Sequence, residues 1–378
     1  MAESAAEADG RAATDLADAA IEDVSARALT IPTDAPEADG TLSWEQTTIV
    51  VVHARSSGHV GTGFSYAAGA AAQVVEGMLA DAVRGADALS PRGAWQRARE
   101  AVRNIGYPGV AASAISALDI ALWDLKARLL GVSVSTLLGR VHDGVRAYGS
   151  GGFTSYDDER LREQLAGWAR DGLSAVKMKV GSEPARDPER VRVARDAIGP
   201  DVELFVDANG AYDRKRALSL AERFAAEAGV SWFEEPVSSD DLEGLRLLRD
   251  RAPAGMQVAA GEYGYGLHYF RHMLDAGAVD VLQADVTRCG GITAMLGVAA
   301  LCEARSLELS AHTSPSIHTH VGCALAPLVH VEYFHDHARI EQMLFDGAPR
   351  PRGGVLYPDP NRLGLGLELR EEVARRYE

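Results

Sequence analysis

Cysteine is scarce in this chain. Among 378 residues there are three, Cys289, Cys302 and Cys323, an odd number without CxxC spacing, which excludes a disulfide framework and suits a reducing compartment. Long apolar runs are missing as well: no stretch of about 18 such residues occurs, so an ordinary membrane span is not expected. Positive charge is in deficit, with 38 Lys and Arg against 54 Asp and Glu and a net charge of -16. That balance opposes nucleic acid or an anionic membrane surface as a partner. The first residues lack the basic and apolar segments of a signal peptide, so a cytoplasmic location is expected. Residues 1–20, rich in Ala, Asp and Glu, read as a disordered acidic tail. A field of this sign repels acids, so a site for an anionic substrate must carry local positive charge from lysines or a metal.

What is present is a core-forming composition, 47% hydrophobic, arranged in two rhythms. Residues 21–31, 47–54 and 59–66 alternate β-branched and polar positions between turn clusters, predicting an antiparallel meander. Helical spacing follows at 70–83, 91–103 and 111–130. Together, residues 21–140 read as one α+β unit. After Arg140 short apolar runs alternate with amphipathic helices, the pattern of βα units. Eight strands are predicted, at 145–149, 175–179, 203–207, 231–235, 258–261, 281–285, 309–312 and 329–332. The predicted fold is α/β: a (β/α)8 barrel, a modified TIM barrel, over 141–344, capped by the α+β domain. Residues 345–378 are expected to return to the cap.

The ionisable residues fall at the ends of these strands. Lys177 and Lys179 close the second, Asp207 the third, Glu234 and Glu235 the fourth; Glu262 follows the fifth, Asp285 ends the sixth, His312 the seventh and Glu332 the eighth. In a barrel these ends converge on one face, where catalytic residues sit. A single carboxylate after a strand commonly caps the next helix. Three on adjacent strands, Asp207, Glu234 and Glu262, form an all-oxygen cluster that suits Mg2+ better than zinc. Lys177 and Lys179, two residues apart, point to the same side of their strand. A lysine beside a cation and another lysine has its pKa lowered and can serve as a base. Asp285 and His312, on neighbouring strands, can pair so that the carboxylate orients the imidazole.

The ordered set Lys177-x-Lys179, Asp207-Ala-Asn209, Trp232-Phe-Glu234-Glu235-Pro236, Gly261-Glu262, Asp285 with Gly290-Gly291, and His312 resembles the mandelate racemase subgroup of the enolase superfamily. The capping-domain segment 114–126 fits the same resemblance. It implies Mg2+ held by Asp207, Glu234 and Glu262, with Lys179 and the His312–Asp285 pair as acid/base groups. Lys177 would neutralise the substrate carboxylate, and Glu332 would hydrogen-bond its opposite oxygen. The implied reaction is abstraction of the proton α to a carboxylate through an enediolate, with dehydration of a sugar acid favoured, racemisation of a 2-hydroxy acid the alternative, and a non-catalytic metal-binding barrel the reading from another class. The expected partner is a small-molecule carboxylate, in a homo-oligomer.

Segments 35–44 and 58–68 of the cap are expected to cover the barrel mouth; neither carries a run of basic residues, so a dicarboxylate has no second clamp. Ser174-Ala-Val-Lys177 matches a Ser-x-x-Lys string but lies in a strand, where that chemistry needs a helix start. Gly61-Thr-Gly63 is an incomplete nucleotide fingerprint outside any βαβ unit. His318, His320, His330, His335 and His337 lack zinc-ligand spacing.

Overall fold

The computed structural model describes residues 19–378. Most of the expected acidic tail therefore lies outside the described residues. Ala19 and Ala20 already belong to the cap, Ala19 buried and Ala20 bridged to Asp87. The cap opens with three antiparallel strands, β1 (Asp23–Ala38), β2 (Ser43–Ser56) and β3 (His59–Tyr66). β1 runs past Ile31, where Pro32 and Pro36 predict a break, because a register shift between Pro32 and Glu37 absorbs them. The result is a long β1–β2 hairpin. Helices follow: α1 over 70–83 with a π-helical turn at Val75–Leu79, α2 (Pro91–Ala101) and α3 (Val110–Leu129).

Gly61 and Gly63 explain why β3 can lie flat on α3. A Cβ at either position would collide with the carbonyls of Ala121 or Ala117, so glycine permits the close approach. This narrows the expectation that 58–68 cover the mouth. β3 is a central element of the cap, and only its end, Tyr66 with Ala67 and Ala68, reaches the cleft.

Eight parallel strands then close into a barrel: β4 (Val145–Gly151), β5 (Ala175–Lys179), β6 (Glu203–Asp207), β7 (Val230–Glu234), β8 (Gln257–Ala260), β9 (Val281–Ala284), β10 (Glu308–Ala311) and β11 (Leu328–Phe334), with β11 pairing back onto β4. Side chains alternate as the two-residue period requires. Val176, Met178, Leu204, Val206 and Phe233 face the helices, whereas Ala175, Phe205 and Trp232 face inward. Inside, the rings of Phe205 and Trp232 stack at 5.3 Å, and Tyr148 meets Phe205 edge-on, making a dry floor. The lysines and carboxylates stand above it.

The cap is seated on the barrel by buried polar contacts from α3. Asp119 accepts hydrogen bonds from the N–H and hydroxyl of Thr293 at 2.8 and 2.7 Å, at the start of α4 (Gly291–Glu303). Ser116 Oγ accepts from Gly290 N at 2.9 Å. Gly290 and Gly291 have φ of 113° and 84°, and a Cβ on Gly291 would strike Asp119. The paired glycines are thus a seat for the cap helix. At the other end, the chain returns to β1, where Thr30 N donates to Tyr377 O at 2.8 Å. The terminal helix is short, Glu371–Ala374, because Glu368–Leu369 pairs with Phe345–Asp346 as strand. No helix among the described residues is long and apolar enough to cross a membrane.

Candidate active site

Strand register assembles the site. Lys179 lies opposite Asp207 on β6, and Asp207 opposite Glu234 on β7. Lys179 Nζ donates to Asp207 Oδ2 at 2.5 Å. Lys177, fully buried, donates to Glu234 Oε1 at 2.5 Å and lies 2.8 Å from Glu332 Oε1 and 3.4 Å from Asp207 Oδ2. Trp232 Nε1 of the floor donates to Glu234 Oε2 at 3.0 Å, and Asn209 N to Asp207 Oδ1 at 2.9 Å. Each carboxylate is therefore aimed by its own strand and by one neighbour.

On the other side, His312 Nδ1 meets Asp285 Oδ2 at 2.8 Å, while its Nε2 lies 3.2 Å from Glu262 Oε2 and 3.6 Å from Glu332 Oε2. Burial disfavours charge on this imidazole, but Glu262, Glu332 and the Asp285 hydrogen bond outweigh it and raise its pKa to about 9. Asp285 is held below the usual carboxylate range against the cost of its burial, by His312 first. Burial and the Asp207 charge push Glu234 up to about 8. Both lysines are raised, because their carboxylate partners overcome desolvation. The lowering expected beside a cation is a property of the metal-loaded site; among the protein's own groups, carboxylates are the nearest neighbours of each ammonium.

Glu332 is held on three sides. It accepts from Ser150 Oγ at 2.6 Å and Thr313 N at 3.1 Å, besides its ion pair with Lys177. Lys177 holds its pKa down to about 2 despite burial. Ionised, Glu332 accepts from these donors and positions Lys177.

Asp207, Glu234 and Glu262 each offer one oxygen, all within 4.8 Å of one another. Glu262 Oε2 is buried without a hydrogen bond, despite its nearness to His312. Hard oxygens, one of them unsatisfied, fit a hard cation. Glu235 stands beside the cluster with φ of 38° and its Oε1 also unpartnered. Such backbone conformations, shared with Asn209 at 45° and Thr313 at 50°, concentrate where strand ends build sites.

A cleft of about 410 Å³ opens over these groups, within the range of small-molecule sites of about 300–1,000 Å³. Lys179, Glu262, His312 and Glu332 line its barrel side, and Asp39, Leu42, Trp44 and Tyr66 its cap side. Sequence reasoning missed Arg288 and His337, which also line it. Arg288 lies 3.5 Å from Glu262 Oε1 and 3.6 Å from Asp285 Oδ2, and its spacing three residues after a strand-end aspartate was its available signal. The five late histidines do not gather. His318 ties the 286 and 313 backbones together, His330 bonds Ser310 inside the barrel, and His335 pairs with Asp34.

Residues 23–139 match the mandelate racemase/muconate lactonizing enzyme N-terminal domain, and residues 160–373 the enolase C-terminal domain-like family. The chain is 31% identical over 333 residues to the L-talarate/galactarate dehydratase of Salmonella typhimurium, covering 86% of this chain and 82% of that one. It is 36% identical over 222 residues to the D-galactarolactone cycloisomerase of Agrobacterium fabrum, a match that spans 58% of each. A mandelate racemase/muconate lactonizing enzyme-like protein from Rubrobacter xylanophilus superposes with a TM-score of 0.93 at 56% identity, over 95% of this chain and 99% of that one. The Salmonella dehydratase, liganded with Mg and L-lyxarohydroxamate, superposes with a TM-score of 0.87 at 28% identity, over 95% and 93% of the two chains. With both of its domains matched, the chain is an enzyme of the enolase superfamily and belongs to the mandelate racemase/muconate lactonizing enzyme family.

Proposed function

We propose that this enzyme uses Mg2+ to remove the proton α to a carboxylate and then expels the β-hydroxyl, converting a sugar acid to a 2-keto-3-deoxy acid and water. The observation that carries the reading is the all-oxygen cluster at the mouth. Asp207, Glu234 and Glu262 bring one oxygen each within 4.8 Å of one another, and Glu262 Oε2 is buried with no hydrogen-bond partner, a donor set that fits a hard divalent cation. Asp207, Glu234 and Glu262 would hold the ion. Bound there, it supplies the positive charge that stabilises the second negative charge developing on the substrate carboxylate.

The chain's own groups divide the remaining work. Lys177, fixed by Glu332, contributes local positive charge for the substrate carboxylate. Lys179 takes the α-proton from one side as the neutral amine, a form that a cation offsetting the charge of its partner Asp207 would favour. His312, whose Asp285 partner keeps a proton on Nδ1, delivers the proton of Nε2 to the departing hydroxyl, which leaves as water. The enol that results takes a proton at C3 and becomes the 2-keto acid. The Salmonella relative, whose name is that of a sugar-acid dehydratase, supports this outcome.

A second reading, racemisation of a 2-hydroxy acid, is favoured by one observation: Lys179 and His312 line one cleft from strands three places apart around the ring, so that each can serve one face of an α-carbon. Incubation with a panel of sugar acids and Mg2+, read by semicarbazone formation and polarimetry, separates the two. A keto product is expected; lost rotation alone means racemisation. Mg2+ binding with no α-proton exchange in D2O for any acid would sink both and leave a binding barrel.

A further inference from the structure

The outer half of the cleft has no part in the proposed proton transfers. Its wall is built by Leu42 and Trp44 of the hairpin, Ala67 beyond β3, and Phe334 and His337 of the barrel. Charge is disposed there in one way. Asp39 is acidic and uses Oδ1 to hold its own turn through Thr41 N and Leu42 N. Arg288, a guanidinium in the lining, is committed to Glu262 and Asp285 and lies 5.5 Å from the Tyr263 ring. A second carboxylate on the substrate would meet an acid and no uncommitted cation, and burying an unpaired charge is unfavourable.

His337 has the opposite character. Its imidazole, 7% exposed, stacks on Tyr66 with centroids 3.3 Å apart and planes 9° from parallel. Phe334 packs edge-on at 5.0 Å, so the ring is held on two sides. Its Nδ1 has no hydrogen-bond partner. Burial holds its pKa well below the ordinary value, which keeps it neutral, with one donor and one acceptor. Native proteins rarely leave a buried polar atom unpaired, and in the wall of a ligand cleft the ligand can supply the partner.

We infer that the substrate is a monocarboxylic polyol acid whose uncharged distal end occupies this half of the cleft, and that His337 is a specificity-determining residue that hydrogen-bonds a distal hydroxyl. The inference rests on the α-proton chemistry proposed above. The apolar patch of Leu42, Trp44 and Phe334 is compatible with a neutral terminus and gives a carboxylate nothing.

The test uses the full chain with Mg2+ and three acids: a hexonate, the hexarate of the same configuration, and 2,3-dihydroxypropanoate, which lacks distal hydroxyls. α-Proton exchange in D2O and 2-keto acid formation are followed. The hexonate should exceed the hexarate in kcat/KM on the order of 100-fold, because the two differ by a buried unpaired charge. His337→Phe, which can keep the stacking on Tyr66 but has no nitrogen, should raise KM for the hexonate about tenfold, the effect of one hydrogen bond. The same variant should leave the three-carbon acid unchanged, and His337→Asn should recover part of the loss. Equal turnover of hexonate and hexarate, or an equal loss on long and short acids in His337→Phe, overturns the inference while the α-proton chemistry stands. Absence of exchange with every acid removes that chemistry, and the inference with it.

Discussion

The Nδ1 of His312 lies 2.8 Å from Oδ2 of Asp285, and the other oxygen of that carboxylate accepts from both the N–H and the hydroxyl of Thr287 at 2.7 Å. Asp285 is therefore fixed before it fixes the imidazole. The pairing puts a proton on Nδ1 and leaves Nε2 to exchange protons with a ligand. Asp285→Asn keeps the shape and removes the tautomer control, so kcat should fall by about 10²–10⁴. Mg2+ affinity measured by calorimetry should stay within about threefold, since no ligand is changed. An unchanged kcat would remove His312 from the proton pathway.

Neighbouring glutamates on one strand end provide a sharper contrast. Glu234 closes β7 within reach of Asp207 and Glu262, whereas Glu235, at a φ of 38°, is outside that group. Glu234→Gln should abolish turnover and most of the Mg2+-dependent gain in melting temperature. Glu235→Gln should retain that gain. If the metal content of Glu234→Gln equals that of the parent, Glu234 is not a ligand.

How much of this was visible in the sequence follows from where each residue sits. The strand-end lysines and carboxylates were legible because a two-residue period and a closed ring leave them little choice of position. The hairpin was half hidden: Pro32 and Pro36 imitate a strand end, and a register shift far from any local pattern overrides them. The stacking of His337 on Tyr66 was invisible, since it joins residues 271 apart and no periodicity records such a contact. The Gly290-Gly291 pair was noticed as part of a resemblance, but its reason, room for Asp119, appears only once the cap is in place.

That seat can be tested by stability alone. Asp119→Ala would remove the acceptor of the partly buried Thr293 N–H and hydroxyl, a cost of about 2 kcal/mol. The melting temperature should drop by roughly 2–3 °C in a chain of this length. Gly291→Ala should cost as much or more, through a strained φ of 84° and contact with the Asp119 carboxylate. Because the two changes damage one contact, the double variant should lose less than the sum. Strict additivity would mean that the glycine is needed for its backbone conformation and not as a seat.

The last prediction concerns pH and the hairpin that walls the cleft. Glu37 is fully buried, accepts from Trp44 Nε1 at 2.9 Å through Oε2, and leaves Oε1 unpartnered. Burial first, then the charge of Asp336, raises its pKa to about 8. Asp336 itself anchors the hairpin, accepting from Thr47 Oγ1 at 2.5 Å. A carboxyl whose folded pKa lies above its unfolded value binds its proton more tightly in the native state. Its stabilising contribution is complete below the unfolded pKa of about 4.5. It is then lost as pH rises to about 8, where an unpaired charge faces Asp336. Glu37→Gln keeps a neutral, hydrogen-bonding side chain at every pH. Its melting temperature should match the parent near pH 5 and exceed it at pH 8.5 by about 1–2 °C, on the order of 1 kcal/mol. Since Trp44 and Thr47 line the cleft, the parent's KM should rise over the same interval and the variant's should not. Parallel curves for the two proteins from pH 5 to 8.5 would show that Glu37 does not titrate there.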